Sequence, residues 1–162
     1  MRYVVTSTVL YSRLQNVERV ILPKNNIQIL SCFLFEVHGS KMDVTASDKD
    51  TTMKTSIELL EANGDCKFAL ESKQLMDILK EIPEQPLTMD INSSTLQIEL
   101  SYQNGKFMFQ GESGDDYPMQ QVTEGEERKI VIGAPQLTKG LSTAIIAAAS
   151  DESRRVMNGI FM

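Results

Sequence analysis

Tryptophan is absent from this chain, histidine occurs once (His38), cysteine twice (Cys32 and Cys66), and aromatic residues make up only 6% of the sequence. Each scarcity removes a class of chemistry. One histidine excludes histidine-rich zinc sites and leaves a catalytic triad a single candidate base, placed in a turn. The cysteines sit in separate strand-like runs without a CxxC pair and read as buried free thiols. Apolar runs are short, the longest being Ala144–Ala149, far below the roughly 20 residues a membrane-spanning helix needs. The opening MRYVVTSTVLYS has neither a continuous apolar core nor a small-residue cleavage site, so it does not read as a signal peptide, and the cytoplasm is the expected compartment. No GxxxxGK[ST] or GxGxxG loop is present, and Gly111-Glu112-Ser113-Gly114 lacks the spacing of a nucleophile elbow. Asp48 with Asp50, and Asp115 with Asp116, have no obvious third ligand and read as solvated turn carboxylates. The expectation is a protein with no catalytic residue, no metal and no cofactor.

What the sequence does contain is a repeat. Tyr3–Val17 reads as a short strand running into an amphipathic helix, with Leu10, Leu14, Val17 and Ile21 on one face. A second version opens at Phe68, with Ser72 as the expected N-cap and Leu75, Leu79 and Ile82 on the buried face. A third opens at Ile130, with Pro135 in the first turn and Leu137, Leu141 and Ile145 as the stripe. Sixty-five residues separate Leu10 from Leu75 and Leu14 from Leu79; 127 separate Leu10 from Leu137 and Leu14 from Leu141. Constant spacing of a whole supersecondary unit signals duplication.

Strand patterns fill the intervals. The first copy continues with strands expected over Ile29–Val37, Lys41–Ser47 and Met53–Leu60, the second with Leu87–Ile91, Thr95–Leu100 and Lys106–Gln110, the last two joined by an Asn104-Gly105 hairpin. Pro83 and Pro86 stop the second helix. Residues 1–120 therefore read as one α+β domain, a strand–helix–three-strand unit written twice. An acidic, polar segment over 121–129 reads as a linker. Residues 130–162 open a further unit, ending in a strand-like Val156–Met162, and read as the incomplete start of a second domain in a truncated chain. Half a domain leaves an apolar face uncovered, so incomplete packing is expected there.

Charge is unevenly spread. The net charge is −6, which argues against a polyanionic partner. Yet the helical segments and their exits (7–24, 72–82, 134–148) hold Arg13, Arg19, Lys24, Lys73, Lys80 and Lys139 against Glu18, Asp77 and Glu81, 6 − 3 = +3. The remainder is 10 − 19 = −9. Two readings stand: two electrostatic faces, or good helix formers on solvated surfaces.

The duplicated unit with basic helices and acidic strands resembles the bacterial β sliding clamps, processivity subunits of DNA polymerase III. The resemblance covers the whole chain. Its motifs are Leu14-Gln15-Asn16-Val17, Ile29-Leu30 before the long apolar strand, Thr45-Ala46-Ser47-Asp48, Asp77–Pro83, Gly111–Pro118 ending in Asp116-Tyr117-Pro118, and Ser150–Arg154 followed by Asn158-Gly159. It implies the DNA-clamp fold, with helices lining a ring closed by a head-to-tail homodimer around duplex DNA, and partnership with the replicative polymerase and a clamp loader. By resemblance the DNA-contacting positions are Lys24, Lys73, Arg154, Arg155, Asp151 and Val156. Those of the ring interface are Gln74, Ile78, Lys106, Phe107 and Phe109, although Phe107 and Phe109 also fit an inward core. A competing reading is a non-catalytic interaction module that uses its sheet edges, with the basic helices incidental.

Overall fold

Alternation of apolar and polar residues decides most of the architecture. In the computed structural model, which describes residues 1–22, 27–118, 130–149 and 156–161, the chain forms two units, Met1–Gln121 and Val122–Met162.

Unit 1 runs β1 (Arg2–Thr6), α1 (Ser7–Glu18), a 3₁₀ turn (Gln28–Ser31), β2 (Cys32–His38), β3 (Lys41–Ser47), β4 (Thr52–Glu58) and a short β5 (Glu61–Ala62). The second copy follows as β6 (Cys66–Glu71), α2 (Ser72–Glu81), β7 (Pro86–Ile91), β8 (Gln97–Tyr102), β9 (Gly105–Gln110) and a short β10 (Glu112–Ser113). The two sheets are β5-β1-β7-β8-β9 and β10-β6-β2-β3-β4, antiparallel throughout. Each sheet therefore takes its opening strand from one copy and its three-strand meander from the other. Tyr3 pairs with Met89, and Phe68, 65 residues further on, pairs with Phe35. The exchange was not foreseen from the repeat.

One core serves both sheets and both helices. It joins Tyr3 and Val5 to Phe33, Phe35 and Phe68, to Leu10, Leu14 and Val17 of α1, and to Leu75 and Leu79 of α2. The helices lie against each other, with α1 also on β3 and β4 and α2 on β6. Burying a large apolar side chain contributes about 1.5–3 kcal/mol, so the Leu stripes are what fasten the helices. Ser7 and Ser72, 65 residues apart, are the buried first residues of their helices. Ser7 Oγ donates to Pro83 O at 2.8 Å and accepts from Gln85 N at 3.0 Å, tying the start of α1 to the exit of α2.

The boundaries bring corrections. Glu71, not Ser72, is the N-cap of α2, and no side chain caps it. Ile29–Ser31 is 3₁₀ and the strand starts at Cys32, because Ile29 and Leu30 fold over Leu34 and Ala69 as a second small core with Tyr117. β5 and β10 were missed; two residues carry no periodicity. Asn104-Gly105 marked the hairpin, but Gly105 is the first residue of β9 and neither residue has positive φ.

In unit 2, α3 (Ala134–Ala144) has Pro in its first turn, as expected. No strand is present at 130–132 or 156–161; residues 156–158 are 3₁₀ instead. A strand needs a ladder partner, and the described residues of this unit supply none. The stripe Leu137, Leu141 and Ile145 is exposed, and Leu137 and Leu141 border an apolar groove of about 310 Å³ with Ile132, Ile160 and Phe161.

Candidate nucleic-acid interface

A surface that takes phosphates needs cations that are not already neutralised. Every strand cation among the described residues is neutralised. Arg2 holds Asp90 through Nε at 2.9 Å and Nη2 at 3.0 Å. Lys41 and Lys54 approach Asp43 at 3.4 and 3.1 Å, Lys67 approaches Glu36 at 3.7 Å, and Lys106 approaches Glu99 at 2.9 Å. The helical cations behave differently. Arg13 on α1, Arg19 just beyond it, and Lys73 and Lys80 on α2 are exposed and meet no carboxylate of the described residues within 4.0 Å. Lys139 of α3, in unit 2, is likewise exposed and makes no ion pair among the described residues.

Local sequence explains the difference. On the solvent face of a strand, cross-strand neighbours place a lysine against a carboxylate in register. On the helices the acids present, Glu18, Asp77 and Glu81, make no ion pair with the cations around them. None of α1, α2 or α3 has an acidic residue in its first turn or a side-chain cap, but Glu71 sets a carboxylate at the N-cap of α2, so only α1 and α3 begin without an acid. Within the helices alone, α1, α2 and α3 hold Arg13, Lys73, Lys80 and Lys139 against Glu18, Asp77 and Glu81, 4 − 3 = +1, and the rest of the +3 lies in the exits. Helix α1 ends at Glu18, so Arg19 and Lys24 belong to its exit.

Of the expected DNA contacts, Lys73 is exposed near the start of α2 and Val156 is exposed in unit 2. Lys24, Asp151, Arg154 and Arg155 lie outside the described residues, as does the 121–129 linker. Arg13, Arg19 and Lys80 entered the charge balance but not the expected contact set; their helical position was the available signal.

Of the expected interface residues, Gln74 is exposed, Ile78 is half-buried against the core, and Lys106 is exposed. Phe107 is half-buried and stacks on Tyr102 with ring centroids 5.7 Å apart. Phe109 is corrected: only 5% exposed, it is a core residue and offers no side-chain surface. Alternation along β9 sends Phe107 and Phe109 inward and Lys106, Met108 and Gln110 outward. Met108, 51% exposed, is the apolar residue the sequence reading passed over. β9 ends its sheet, leaving one backbone edge without a strand among the described residues.

Reactive groups are muted. A polar cleft of about 440 Å³ is bordered by Cys32, Glu71, Gln74 and Glu112, but burial pushes the Cys32 thiol up to about 12, with Glu112 and Glu71 adding to it. A thiol so protonated is a poor nucleophile. His38 is exposed beside Asp65, 3.4 Å away. Asp48 Oδ1 accepts from the N–H groups of Asp50 and Thr51 at 3.1 and 2.7 Å, closing a turn. No group of three or more His, Cys, Asp or Glu among the described residues could hold a metal, and no helix among them is long and apolar enough to cross a membrane.

Residues 1–121 match the family described as "DNA polymerase III beta subunit, N-terminal domain". Curated relatives include the beta sliding clamp of Synechocystis sp., 24% identical over 168 residues that cover 99% of this chain and 42% of that protein. Another is the beta sliding clamp of Pseudomonas aeruginosa, 23% identical over 163 residues covering 100% and 44%. Among solved structures, Caulobacter crescentus pol III beta superposes with a TM-score of 0.89 at 18% identity, over 98% of this chain and 43% of that one. The DNA polymerase III subunit beta of Pseudomonas aeruginosa does so with a TM-score of 0.86 at 21% identity, over 98% and 42%. At these identities the superpositions establish the clamp fold. The chain spans less than half the length of the curated relatives it matches.

Proposed function

The chain belongs to the DNA polymerase III beta subunit family through residues 1–121, and from that membership we propose that it is part of a sliding clamp. The ring encircles duplex DNA and tethers the replicative polymerase. In this reading residues 1–120 are the first clamp domain, 121–129 the link and 130–162 the start of the next. The full protein closes as a head-to-tail homodimer, opened by a clamp loader, in the cytoplasm. The work is mechanical and requires no catalysis or cofactor. One observation carries the reading: the cations of α1 and α2 are unpaired, while those of the strands are held by carboxylates. Contacts from Lys and Arg to phosphate hold DNA without reading bases, which a sliding protein needs. Lys24, Lys73, Arg154 and Arg155, with Asp151 and Val156 beside them, and Arg13, Arg19 and Lys80 are the proposed contact set. Gln74, Ile78, Lys106 and Phe107 form the proposed ring contact, with Met108 added.

The test restores the natural continuation, loads the protein with its loader and ATP on nicked circular DNA, and measures retention at moderately high salt before and after linearisation. Loss only on linearisation is the expected result. Equal retention on both forms, falling steeply with salt, is ordinary phosphate binding and overturns the ring. Charge reversal at Lys73, Arg13 and Lys80 is expected to impair DNA association; unchanged association favours the sheet-edge interaction module.

A further inference from the structure

The two sheets carry the same charge row at the same register. Arg2 on β1 stands opposite Asp90 on β7, Asp90 stands opposite Glu99 on β8, and Lys106 on β9 lies two residues before Met108, the partner of Glu99. In the other sheet Lys67 on β6 stands opposite Glu36 on β2. Glu36 stands opposite Asp43 on β3, and Lys54 on β4 lies two residues before Ser56, the partner of Asp43. Each solvent face thus reads cation, acid, acid, cation across four strands. The flanking contacts are Arg2 to Asp90 at 2.9 Å, Lys106 to Glu99 at 2.9 Å, Lys67 to Glu36 at 3.7 Å and Lys54 to Asp43 at 3.1 Å. Lys54 also reaches Glu36 at 3.8 Å, and Lys41 reaches Asp43 at 3.4 Å.

Stability is a weak reason for such a row. Carboxylates placed directly opposite each other repel, and exposed ion pairs contribute little. The electrostatic effect is larger. Without the central acids, Arg2, Lys41, Lys54, Lys67 and Lys106 would be five exposed strand cations facing solvent, a second phosphate-binding surface on the sheets. We propose that the acid pairs Asp90–Glu99 and Glu36–Asp43 are specificity determinants: by holding the strand cations they confine polyanion binding to the helices of unit 1. This rests on the DNA-binding reading above and adds the residues that keep the sheets from competing with it.

The test uses the whole chain and a short duplex as probe, with binding followed by fluorescence anisotropy over a salt series. A background variant carries Arg13→Gln, Arg19→Gln, Lys73→Gln and Lys80→Gln. Onto it are placed either the row substitutions Glu36→Gln, Asp43→Asn, Asp90→Asn and Glu99→Gln, or four substitutions of equal charge at acids that make no ion pair among the described residues, Asp50→Asn, Glu84→Gln, Glu112→Gln and Asp116→Asn. The row variant is expected to bind about tenfold more tightly than the equal-charge control, with a log–log salt slope steeper by up to about 4 at roughly 0.9 per phosphate contact. Equal binding by the two overturns the proposal, since net charge alone would then account for any gain. A background variant that binds like the parent chain instead overturns the helix reading, a separate result. Thermal melts accompany each protein. If a fourfold variant does not stay folded, Asp90→Asn/Glu99→Gln against Asp50→Asn/Glu84→Gln decides by the same comparison.

Discussion

The phenol of Tyr117 accepts a hydrogen bond from the backbone N–H of Ser47 at 3.0 Å, across 70 residues of chain. The same hydroxyl donates to Cys32 O at 3.4 Å. It therefore joins the end of β3 to the start of β2 and closes the small core that Ile29, Leu30, Leu34 and Ala69 build on the second face of their sheet. Burial pushes its titration up to about 12, so the hydroxyl stays protonated at neutral pH and can serve both partners.

Tyr117→Phe tests that arrangement. It keeps the ring and leaves the Ser47 N–H without its acceptor in a buried site. The expected cost is about 1–3 kcal/mol, read as a lower midpoint in urea with an unchanged m-value.

Thr45 poses the opposite case. Its side-chain oxygen is buried with no hydrogen-bond partner, on a strand where Val is the better β-former. Thr45→Val removes the orphaned hydroxyl at nearly constant shape and is expected to stabilise the chain by about 1 kcal/mol. A lower urea midpoint would refute the assignment.

Much of this was legible in the residues. Leu10, Leu14, Leu75 and Leu79 announced both helices and the duplication, because a helix in a small domain is fastened by one apolar stripe. Alternation at Met42 and Val44 located β3 to the residue. The exchange of opening strands was not legible, since periodicity says which face of a strand is buried but not which strand lies beside it. The same limit hid the ion rows: Glu36 and Lys67 are 31 residues apart in sequence, and only the register between β2 and β6 brings them together. Phe109 fell on the wrong side because family position was weighed above its own alternation with Met108.

Acid should weaken unit 1 in a defined window. The Ser56 hydroxyl, then Lys54, hold Asp43 below its ordinary value of 3.8, and Arg2 does the same for Asp90. A carboxylate depressed in the folded state contributes stability above the unfolded value and loses it as pH falls through the folded one. Thermal midpoints are therefore expected to hold above about pH 4 and to fall below it. In Asp90→Asn that fall should be shallower; an identical acid limb would show that Asp90 does not contribute.

Thiol chemistry should follow burial. Cys32 is buried with its titration raised to about 12, and Cys66 is half-buried and also raised, by desolvation above all. In mildly alkaline buffer the native chain is expected to react with a thiol reagent slowly and only at Cys66. Both thiols should react at once in denaturant. Rapid native labelling of Cys32 would mean that its cover, Tyr117 and the Gln28–Ser31 turn, opens freely.

The strand exchange makes a prediction about folding units. Phe35 and Phe68 stack with centroids 5.0 Å apart and planes 7° apart, one from each copy, and the matching position in the other sheet joins Tyr3 to Met89. A chain cut at the Asn63-Gly64-Asp65 turn yields two fragments, each with a three-strand meander, a helix and an opening strand whose long ladder partner, β7 for β1 and β2 for β6, lies in the other fragment. Alone, each opening strand keeps only the two-residue β5 or β10 beside it, and each helix loses the other helix, so a meander with half a core is marginal. Each fragment alone is expected to lack a cooperative melt, and an equimolar mixture to regain the far-ultraviolet spectrum and melt of the intact unit at a concentration-dependent midpoint. A cooperative fold in either fragment alone would mean that the copies are separate domains packed together, and the exchange would carry no stability.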